Sequence, residues 1–140
     1  MIHVTDSPTE GDREAILQGL SVFNAMATGR QDDHRPFAAL VKDEEGRTLG
    51  GATGASYYGW LFISLLHLPA GMRRRGLGRQ VMAAAEAEAR ARGCVGIRLD
   101  TFSFQAPGFY EKLGFARIGT LADDPPGHAR HFYAKTLGDS

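Results

Sequence analysis

The pattern of apolar and polar residues predicts a chain of strands and helices. Runs rich in apolar residues, bounded by glycine, proline or acidic turns, predict strands over residues 2–4, 37–42, 48–58, 60–68, 95–101, 115–121 and 128–137. Apolar residues at the helical spacing predict helices over residues 8–29, 76–92 and 106–113. The order β-α-β-β-β-α-β-α-β-β therefore indicates a mixed α/β fold, predicted as a single domain over residues 1–140.

The two central strands are predicted to run parallel. Residues 60–68 are nearly all apolar, which is typical of a strand covered on both faces. An alanine-rich helix connects them to the strand at 95–101, and such a crossover favours a parallel, adjacent pair. Because ligands of open α/β sheets bind at the carboxyl ends of strands, residues 66–79 and 100–110 are the predicted ligand-binding segments.

The composition argues against several classes of protein, including nucleic-acid binders, disulfide-linked proteins and membrane-spanning proteins. Sixteen basic and sixteen acidic residues balance, whereas a nucleic-acid binder usually carries a basic excess. The single cysteine, Cys94, excludes an intrachain disulfide and a cysteine-based zinc site. His128 and His131 lie on opposite faces of a predicted strand, so no metal site is expected. With no apolar run near the roughly 20 residues of a membrane span, we expect a cytoplasmic protein without a membrane partner.

Charge is distributed unevenly along the chain. Residues 1–45 hold nine acidic and four basic side chains, whereas residues 73–98 hold seven arginines and two acidic side chains. Such an asymmetry predicts that one part of the molecule attracts cations and another attracts anions. A solvated surface with chance clustering would produce the same counts.

A turn rich in arginine and glycine separates the apolar strand from the alanine-rich helix. Its sequence is Arg73-Arg74-Arg75-Gly76-Leu77-Gly78-Arg79-Gln80. The glycines allow a ligand to approach the backbone closely. The first amides of a helix have no internal partner and favour a phosphate, to which arginines add charged hydrogen bonds. No Gly-Lys-Ser/Thr follows, and Val81 replaces the third glycine of a dinucleotide-binding turn.

This turn resembles the acyl-CoA signature of the GNAT N-acetyltransferase superfamily. Residues 100–115, which include Phe109-Tyr110 and Gly114-Phe115, are similar to the later motif of that family. The pattern Gly127-His128-x-x-x-Phe132-x-x-Lys135 resembles the last strand of its small bacterial members. The resemblance covers residues 48–137. It implies a central, mostly antiparallel sheet with one parallel, splayed strand pair and flanking helices.

The resemblance implies acetyl-CoA as co-substrate. Its pyrophosphate is expected to be surrounded by Arg73, Arg74, Arg75, Gly76, Gly78, Arg79 and Gln80. The backbone of Leu66 and Leu68 is expected to bind the pantetheine arm like an added strand. The adjacent pair Leu65-Leu66 fits a β-bulge there, and it fits a doubly buried strand equally well. Gln105 stands where many members carry a pantetheine-binding asparagine, and it offers the same amide.

Tyr110 is the candidate catalytic residue. By resemblance it protonates the departing thiolate, and a phenol with an ordinary pKa near 10 suits that role. The alternative is that Tyr110 only packs in the core. The base that deprotonates the amine is less evident, because residues 61–65 contain no acidic side chain. His67, Asp100 and a chain of water molecules are the alternatives.

The predicted activity is acetyl transfer to a primary amine of a small molecule or peptide, by direct attack in a ternary complex. The acidic N-terminal part favours a cationic acceptor. Gln105 and the missing base would also fit a non-catalytic acyl-CoA sensor. A toxin-type enzyme acting on aminoacyl-tRNA is a further alternative that the zero net charge disfavours. A homodimer is plausible through the C-terminal strand, with Phe132 and Tyr133 exposed on it.

Overall fold

The computed structural model of the chain describes residues 1–138, apart from the side chain of Arg74. The chain folds into two compact units, one over Met1–Asp33 and a second that begins at His34. The organisation of residues 1–140 as a single domain therefore stays a prediction.

The first unit contains one helix, α1 (Glu10–Thr28). The Thr9 hydroxyl accepts from the Asp12 amide at 3.1 Å, and the Asp12 carboxylate accepts from the Thr9 amide at 2.9 Å. This reciprocal capping box starts the helix two residues after the predicted position. The predicted strand at residues 2–4 is wrong, because no strand of this unit is available to pair with it.

The second unit is a six-stranded sheet with helices. Its elements are β1 (Arg35–Lys42), β2 (Thr48–Tyr57), β3 (Trp60–His67), a 3-10 segment (Ala70–Arg75), α2 (Leu77–Ala91), β4 (Gly96–Phe102), α3 (Pro107–Lys112), β5 (Ala116–Ala122) and β6 (Ala129–Thr136). The strand order is β1-β2-β3-β4-β6-β5. All neighbours are antiparallel except β3 and β4. The predicted mixed α/β fold and its parallel pair are confirmed.

The last strand lies inside the sheet. β6 pairs with β4 on one side and with β5 on the other, so β5 is the edge strand. Tyr133 is 0% exposed, and Phe132 is half-buried. The prediction that the C-terminal strand is an exposed edge is therefore wrong. After β5, the chain turns back and β6 inserts between β5 and β4. A homodimer remains a prediction, but the C-terminal strand is not available as an exposed edge to form it.

The parallel strands separate at their carboxyl ends. Their pairing ends at Ile63 and Leu99, although β3 continues to His67 and β4 continues to Phe102. Beyond this point, the edges of β3 and β4 that face each other no longer form a ladder. The splayed pair that the family resemblance implies is therefore present.

A bulge at Ser64 accompanies this separation. The consecutive β2 residues Thr53 and Gly54 pair with Leu65 and Ile63, so Ser64 has no residue opposite it. The β-bulge interpretation of the Leu65-Leu66 pair is confirmed within one residue. Leu65 is 70% exposed, so the prediction of a strand covered on both faces is wrong there.

The core lies on one face of the sheet. Apolar side chains of the central strands pack against α2 and α3 in one cluster, whose larger members include Leu61, Ile63, Val81, Met82, Ile97, Leu99, Tyr110, Phe115 and Tyr133. The two ligand-binding segments that the sequence predicts therefore begin on rigid, buried strands. This arrangement is suited to holding a reactive site in place.

Candidate active site

The turn before α2 presents free backbone amides. The 3-10 segment ends at Gly76, whose φ of 73° is a left-handed conformation that favours glycine. The amide of Gln80 already donates to the Gly76 carbonyl at 3.1 Å. The amides of residues 77–79 belong to the first helical turn and have no intrahelical acceptor. The Gln80 side chain, rather than its amide, is therefore the group that can meet a phosphate.

Gly78 lies where the turn touches α3. A Cβ atom at this position would lie 3.2 Å from Phe109 Cζ and 3.6 Å from Leu68 Cδ1. Only glycine leaves this space open without displacing the Phe109 ring. Because Tyr110 follows Phe109 directly, the turn before α2 packs against the residue next to the candidate catalytic tyrosine.

The arginines of the turn have different surroundings. Arg73 Nε donates to the Leu68 carbonyl at 2.9 Å, so that carbonyl is already engaged and the Leu68 amide remains for a ligand. Arg75 and Arg79 are exposed, and both can reach a bound anion. The predicted contact of the Arg74 side chain lies outside the described part of the chain.

Tyr110 is buried and is the fourth of the six residues of α3. It is 7% exposed, and its ring lies 5.1 Å from Phe109, 6.0 Å from Phe115 and 6.2 Å from Tyr133 between ring centroids. Its hydroxyl has no hydrogen-bond partner among the described residues. Burial, and then the charge of Asp100, raise the pKa of Tyr110 above its ordinary value. A phenol in this setting stays protonated at neutral pH, and it also packs in the core.

β6 holds α3 in place. The Tyr133 hydroxyl donates to Glu111 Oε2 at 2.9 Å and accepts from Arg117 Nη2 at 2.9 Å. Lys135 Nζ donates to the Leu113 carbonyl at 2.9 Å. Burial raises the pKa of Tyr133, so its hydroxyl keeps the proton that it donates. Sequence reasoning missed this network, although Lys135 belongs to the last-strand pattern described above.

Gln105 closes the turn between β4 and α3. Its Oε1 atom accepts from Thr101 Oγ1 at 2.9 Å and from the Phe102 amide at 2.8 Å. The side-chain carbonyl is therefore engaged, and the NH2 group remains for a ligand. Gln105 thus stabilises the turn that precedes α3, and it remains a candidate contact for the pantetheine arm.

The two candidate bases differ in their partners. Asp100 Oδ1 accepts from Arg130 Nη1 at 2.5 Å, and Arg130 Nε donates to Asp124 Oδ2 at 2.7 Å. Hydrogen bonds to Asp124 and Asp100 raise the pKa of Arg130, so the guanidinium stays charged. The Asp100 carboxylate is therefore already engaged in an ion pair. His67 is exposed at the end of β3, and its ring makes no hydrogen bond or ion pair to another described residue.

Comparisons with known proteins identify the family of the chain. The sequence pattern described as the Acetyltransferase (GNAT) family matches residues 7–115. The chain belongs to the GNAT acetyltransferase family. It is 40% identical over 102 residues to the blasticidin-S acetyltransferase of Streptomyces morookaense, covering 72% of this chain and 75% of that protein.

Two solved GNAT structures extend this finding. An acetyltransferase from Bacillus cereus is 34% identical, with a TM-score of 0.83 over 96% of this chain and 98% of the other. An aminoglycoside 6′-N-acetyltransferase complexed with coenzyme A shares the fold at 17% identity, with a TM-score of 0.63 over 96% and 97% of the two chains. This GNAT chain is thus an acetyl-CoA-dependent N-acetyltransferase.

Most of the predicted site residues follow the carboxyl ends of the two central strands, β3 and β4. Leu66 and Leu68 follow the separation of the strands, and the arginine- and glycine-rich turn comes next along the chain. Gln105 and Tyr110 follow β4 at the same edge. Within residues 1–138, no helix is long and apolar enough to cross a membrane. No group of three metal-ligating side chains occurs in that part of the chain either.

Proposed function

We propose that this acetyltransferase transfers the acetyl group of acetyl-CoA to a primary amine of a small molecule by direct attack. The new N–C bond forms as the C–S bond breaks. Tyr110 gives its proton to the departing thiolate, and the amine loses a proton to a base. One observation carries this proposal: a protonated phenol without a hydrogen-bond partner among the described residues lies beside the carboxyl end of β4.

The cofactor would bind where the chain offers unsatisfied groups. Residues 77–79 provide amides for the pyrophosphate, and Arg75 and Arg79 add positive charge. The separated strands leave the backbone of Leu66 and the amide of Leu68 for the pantetheine arm. Gly78 keeps this cradle open, because a side chain there would displace Phe109.

The acceptor is proposed to be a small cationic amine. One relative is named for acetylating the antibiotic blasticidin S and another is named streptothricin acetyltransferase, which supports an antibiotic-like amine. Asp100 and Asp124 are both paired with Arg130, so these three side chains together carry one net negative charge. Asp100 is close enough to Tyr110 to raise the pKa of its hydroxyl. A cationic acceptor is attracted to such a surface.

The amine proton would leave through His67 or through water. Asp100 is disfavoured because its carboxylate is already paired with Arg130. Imidazole is a side chain suited to accepting a proton near neutral pH, and the ring of His67 is exposed. Replacing His67 with Gln therefore tests the histidine route against the water route.

The test of the proposed function is release of thiol from acetyl-CoA across a panel of amines. We expect release with at least one small cationic amine. Tyr110→Phe should lower kcat roughly 100-fold or more and leave the KM for acetyl-CoA almost unchanged. Tyr57→Phe is the matched control, because Tyr57 is the last residue of β2 and pairs with Trp60 at the start of β3, and it should keep the wild-type rate.

Three outcomes would contradict the proposal. Unchanged kcat in Tyr110→Phe would remove the tyrosine from the mechanism. Tight binding of CoA with no thiol release for any amine would indicate the acyl-CoA sensor. Release with aminoacyl-tRNA alone would indicate the toxin-type activity.

A further inference from the structure

Two aromatic rings form a corner just beyond the carboxyl end of β4. Phe104 lies in the connection between β4 and α3, and it is 55% exposed. Its ring stacks on the ring of Phe102, with 5.2 Å between the centroids and 11° between the planes. The ring of His128, just before β6, lies 4.9 Å from that of Phe104 at 72°. We call Phe104 and His128 the aromatic corner, because their rings stand nearly at right angles.

Backbone hydrogen bonds hold the aromatic corner in place. The Ser103 amide donates to the Ala129 carbonyl at 2.7 Å, and the Ala129 amide donates to Ser103 Oγ at 3.0 Å. Ser103 adjoins Phe104 and Ala129 adjoins His128 in the chain, so the two bonds fix the rings relative to each other. A surface that is ordered before a ligand arrives costs less free energy to order on binding.

The stacked ring next to the corner already carries a guanidinium group. Arg130 Cζ lies 4.4 Å from the centroid of the Phe102 ring. The same guanidinium donates to Asp100 at 2.5 Å and to Asp124 at 2.7 Å. A flat cation therefore lies on one ring of the stacked pair within the chain itself. The other ring, that of Phe104, is the more exposed of the two.

The surface beside the aromatic corner is negative. Asp100, Asp124 and Arg130 together carry one net negative charge. Asp123, which is exposed, adds another in the turn between β5 and β6, the turn that also carries His128. A positively charged ligand is attracted to this surface. The face of an aromatic ring adds a short-range attraction for the same charge.

We propose that the aromatic corner binds a flat, delocalised cation of the acceptor, a guanidinium or amidinium group, and that Phe104 is the residue that selects it. This inference rests on the proposed function, because it assigns the acceptor a second group besides the attacking amine. A guanidinium is planar and weakly hydrated, so it loses little hydration when it lies on a partly exposed ring. An ammonium group is compact and strongly hydrated, so it gains less from this surface.

The two groups of the acceptor have different tasks. A guanidinium stays protonated throughout the pH range of the assay, so it holds the acceptor and does not attack the thioester. The primary amine at the other end of the acceptor makes the attack. Phe104 precedes the helix that carries Tyr110. The length of the carbon chain between the two groups therefore affects the rate, because it decides whether the amine reaches the thioester.

The first experiment compares acceptors with the wild-type chain. Steady-state thiol release is measured for aminoalkylguanidines of increasing chain length, for alkyl diamines of matched length and for neutral alkylamines. We expect kcat/KM of the best aminoalkylguanidine to exceed that of its matched diamine about tenfold. Both cationic series should exceed the neutral amines, because the surface is negative.

The second experiment changes the ring. Phe104→Leu keeps an apolar side chain without an aromatic face, so the advantage of the guanidine over the diamine should fall to about twofold or less. Phe104→Trp supplies the aromatic face that binds cations best and should keep or increase the advantage. Neutral amines should keep their kcat/KM in both variants. Phe62→Leu is the matched control, because Arg98 already lies 4.5 Å over that ring, and it should keep the wild-type preference.

The third experiment separates charge from the ring. Asp123→Asn keeps the side-chain oxygen that accepts from the Gly127 amide at 3.4 Å, and it removes one negative charge. At low ionic strength, kcat/KM should fall by the same factor for guanidines and for diamines. The ratio between the two series should therefore stay at its wild-type value. Loss of this ratio in Asp123→Asn, with no change in Phe104→Leu, would assign the selection to charge and overturn the role of the ring.

The outcomes separate this inference from the proposed function. Absence of thiol release with every amine overturns both. Thiol release with equal kcat/KM for guanidines and diamines overturns the flat-cation inference alone. A guanidine preference that persists in a folded Phe104→Leu variant overturns the assignment to Phe104. Thermal melting shows whether each variant is folded, and the comparison of amines with the wild-type chain requires no substitution.

Discussion

At Tyr110, burial and a nearby carboxylate act on the hydroxyl in the same direction. Both disfavour the phenolate, so the pKa of Tyr110 lies above its ordinary value near 10. A proton donor is active only in its protonated form, which here is the dominant form at every pH below that raised value. The residue therefore combines a core position with the protonation state that the chemistry requires.

The pH profile of kcat tests this protonation state. With both substrates saturating, we expect no loss of kcat from Tyr110 ionisation between pH 7 and about 10, because the raised pKa keeps the phenol protonated. An increase of kcat with pH over this range would reflect deprotonation of the catalytic base or of the acceptor amine. An alkaline fall centred below about pH 9, present in the wild type and absent from Tyr110→Phe, would contradict the prediction.

Gly78 is the second position where one residue decides the site. Gly78→Ala would bring a Cβ atom to 3.2 Å from Phe109 Cζ, so the ring next to Tyr110 must move. We expect the dissociation constant for CoA to rise roughly tenfold, or ~1.4 kcal/mol, and kcat to fall. Gly71→Ala has nothing within 4 Å and is the control. Equal behaviour of the two variants in calorimetry and thiol release would contradict this expectation.

Among the elements, α3 depends most on its neighbours. It has six residues, far fewer than an isolated helix needs to be stable. β6 supplies the missing stability by bonding its side chains to Glu111 and to the Leu113 carbonyl. The position of Tyr110 therefore depends on Tyr133 and Lys135, which are each more than twenty residues away from it in sequence.

Tyr133→Phe tests the role of this strand. The substitution keeps the buried ring and removes the hydroxyl that bonds to both Glu111 and Arg117, which also contact each other directly at 3.3 Å. We expect kcat to fall roughly tenfold or more while the KM for acetyl-CoA stays unchanged, because small misplacements of a reacting group are costly. Thr120→Val, which removes an exposed bond to His131 on the same pair of strands, should keep the wild-type kcat. An unchanged kcat in Tyr133→Phe would limit β6 to a structural role.

The net charge of the whole chain is zero, but positive and negative side chains cluster in different places. Arginines surround the start of α2, whereas two carboxylates share one arginine beside the end of β4. An anionic cofactor and a cationic acceptor are therefore attracted to different places. Such long-range attraction is screened by salt.

Acceptor preference tests this distribution of charge. We compare amines of similar size with and without a second positive charge in steady-state assays. At low ionic strength, the cationic amine should have the higher kcat/KM. The difference should shrink at about 0.5 M salt, where screening acts within a few ångströms. Equal kcat/KM values at low salt would remove the cationic acceptor from the proposed function.

The sequence by itself determined the features that depend on neighbouring residues. The helix after the arginine- and glycine-rich turn, the end of α1 at Gly29 and the presence of a short helix around Tyr110 were predicted from turn chemistry and periodicity. The parallel strand pair was also predictable, because a strand–helix–strand connection restricts the topology. The family resemblance then named the cofactor.

Only the tertiary structure decided which distant groups meet. Asp100 and Arg130 are thirty residues apart, Tyr133 and Glu111 are twenty-two apart, and neither bond leaves a periodic signal. The same reason explains two wrong predictions. Residues 2–4 have the composition of a strand, but their unit contains no other strand to pair with. β6 was predicted as an edge strand, but it pairs with both β4 and β5, so β5 is the edge strand. A strand exists only through its partners, and an ionisable side chain takes its pKa from neighbours that the fold selects.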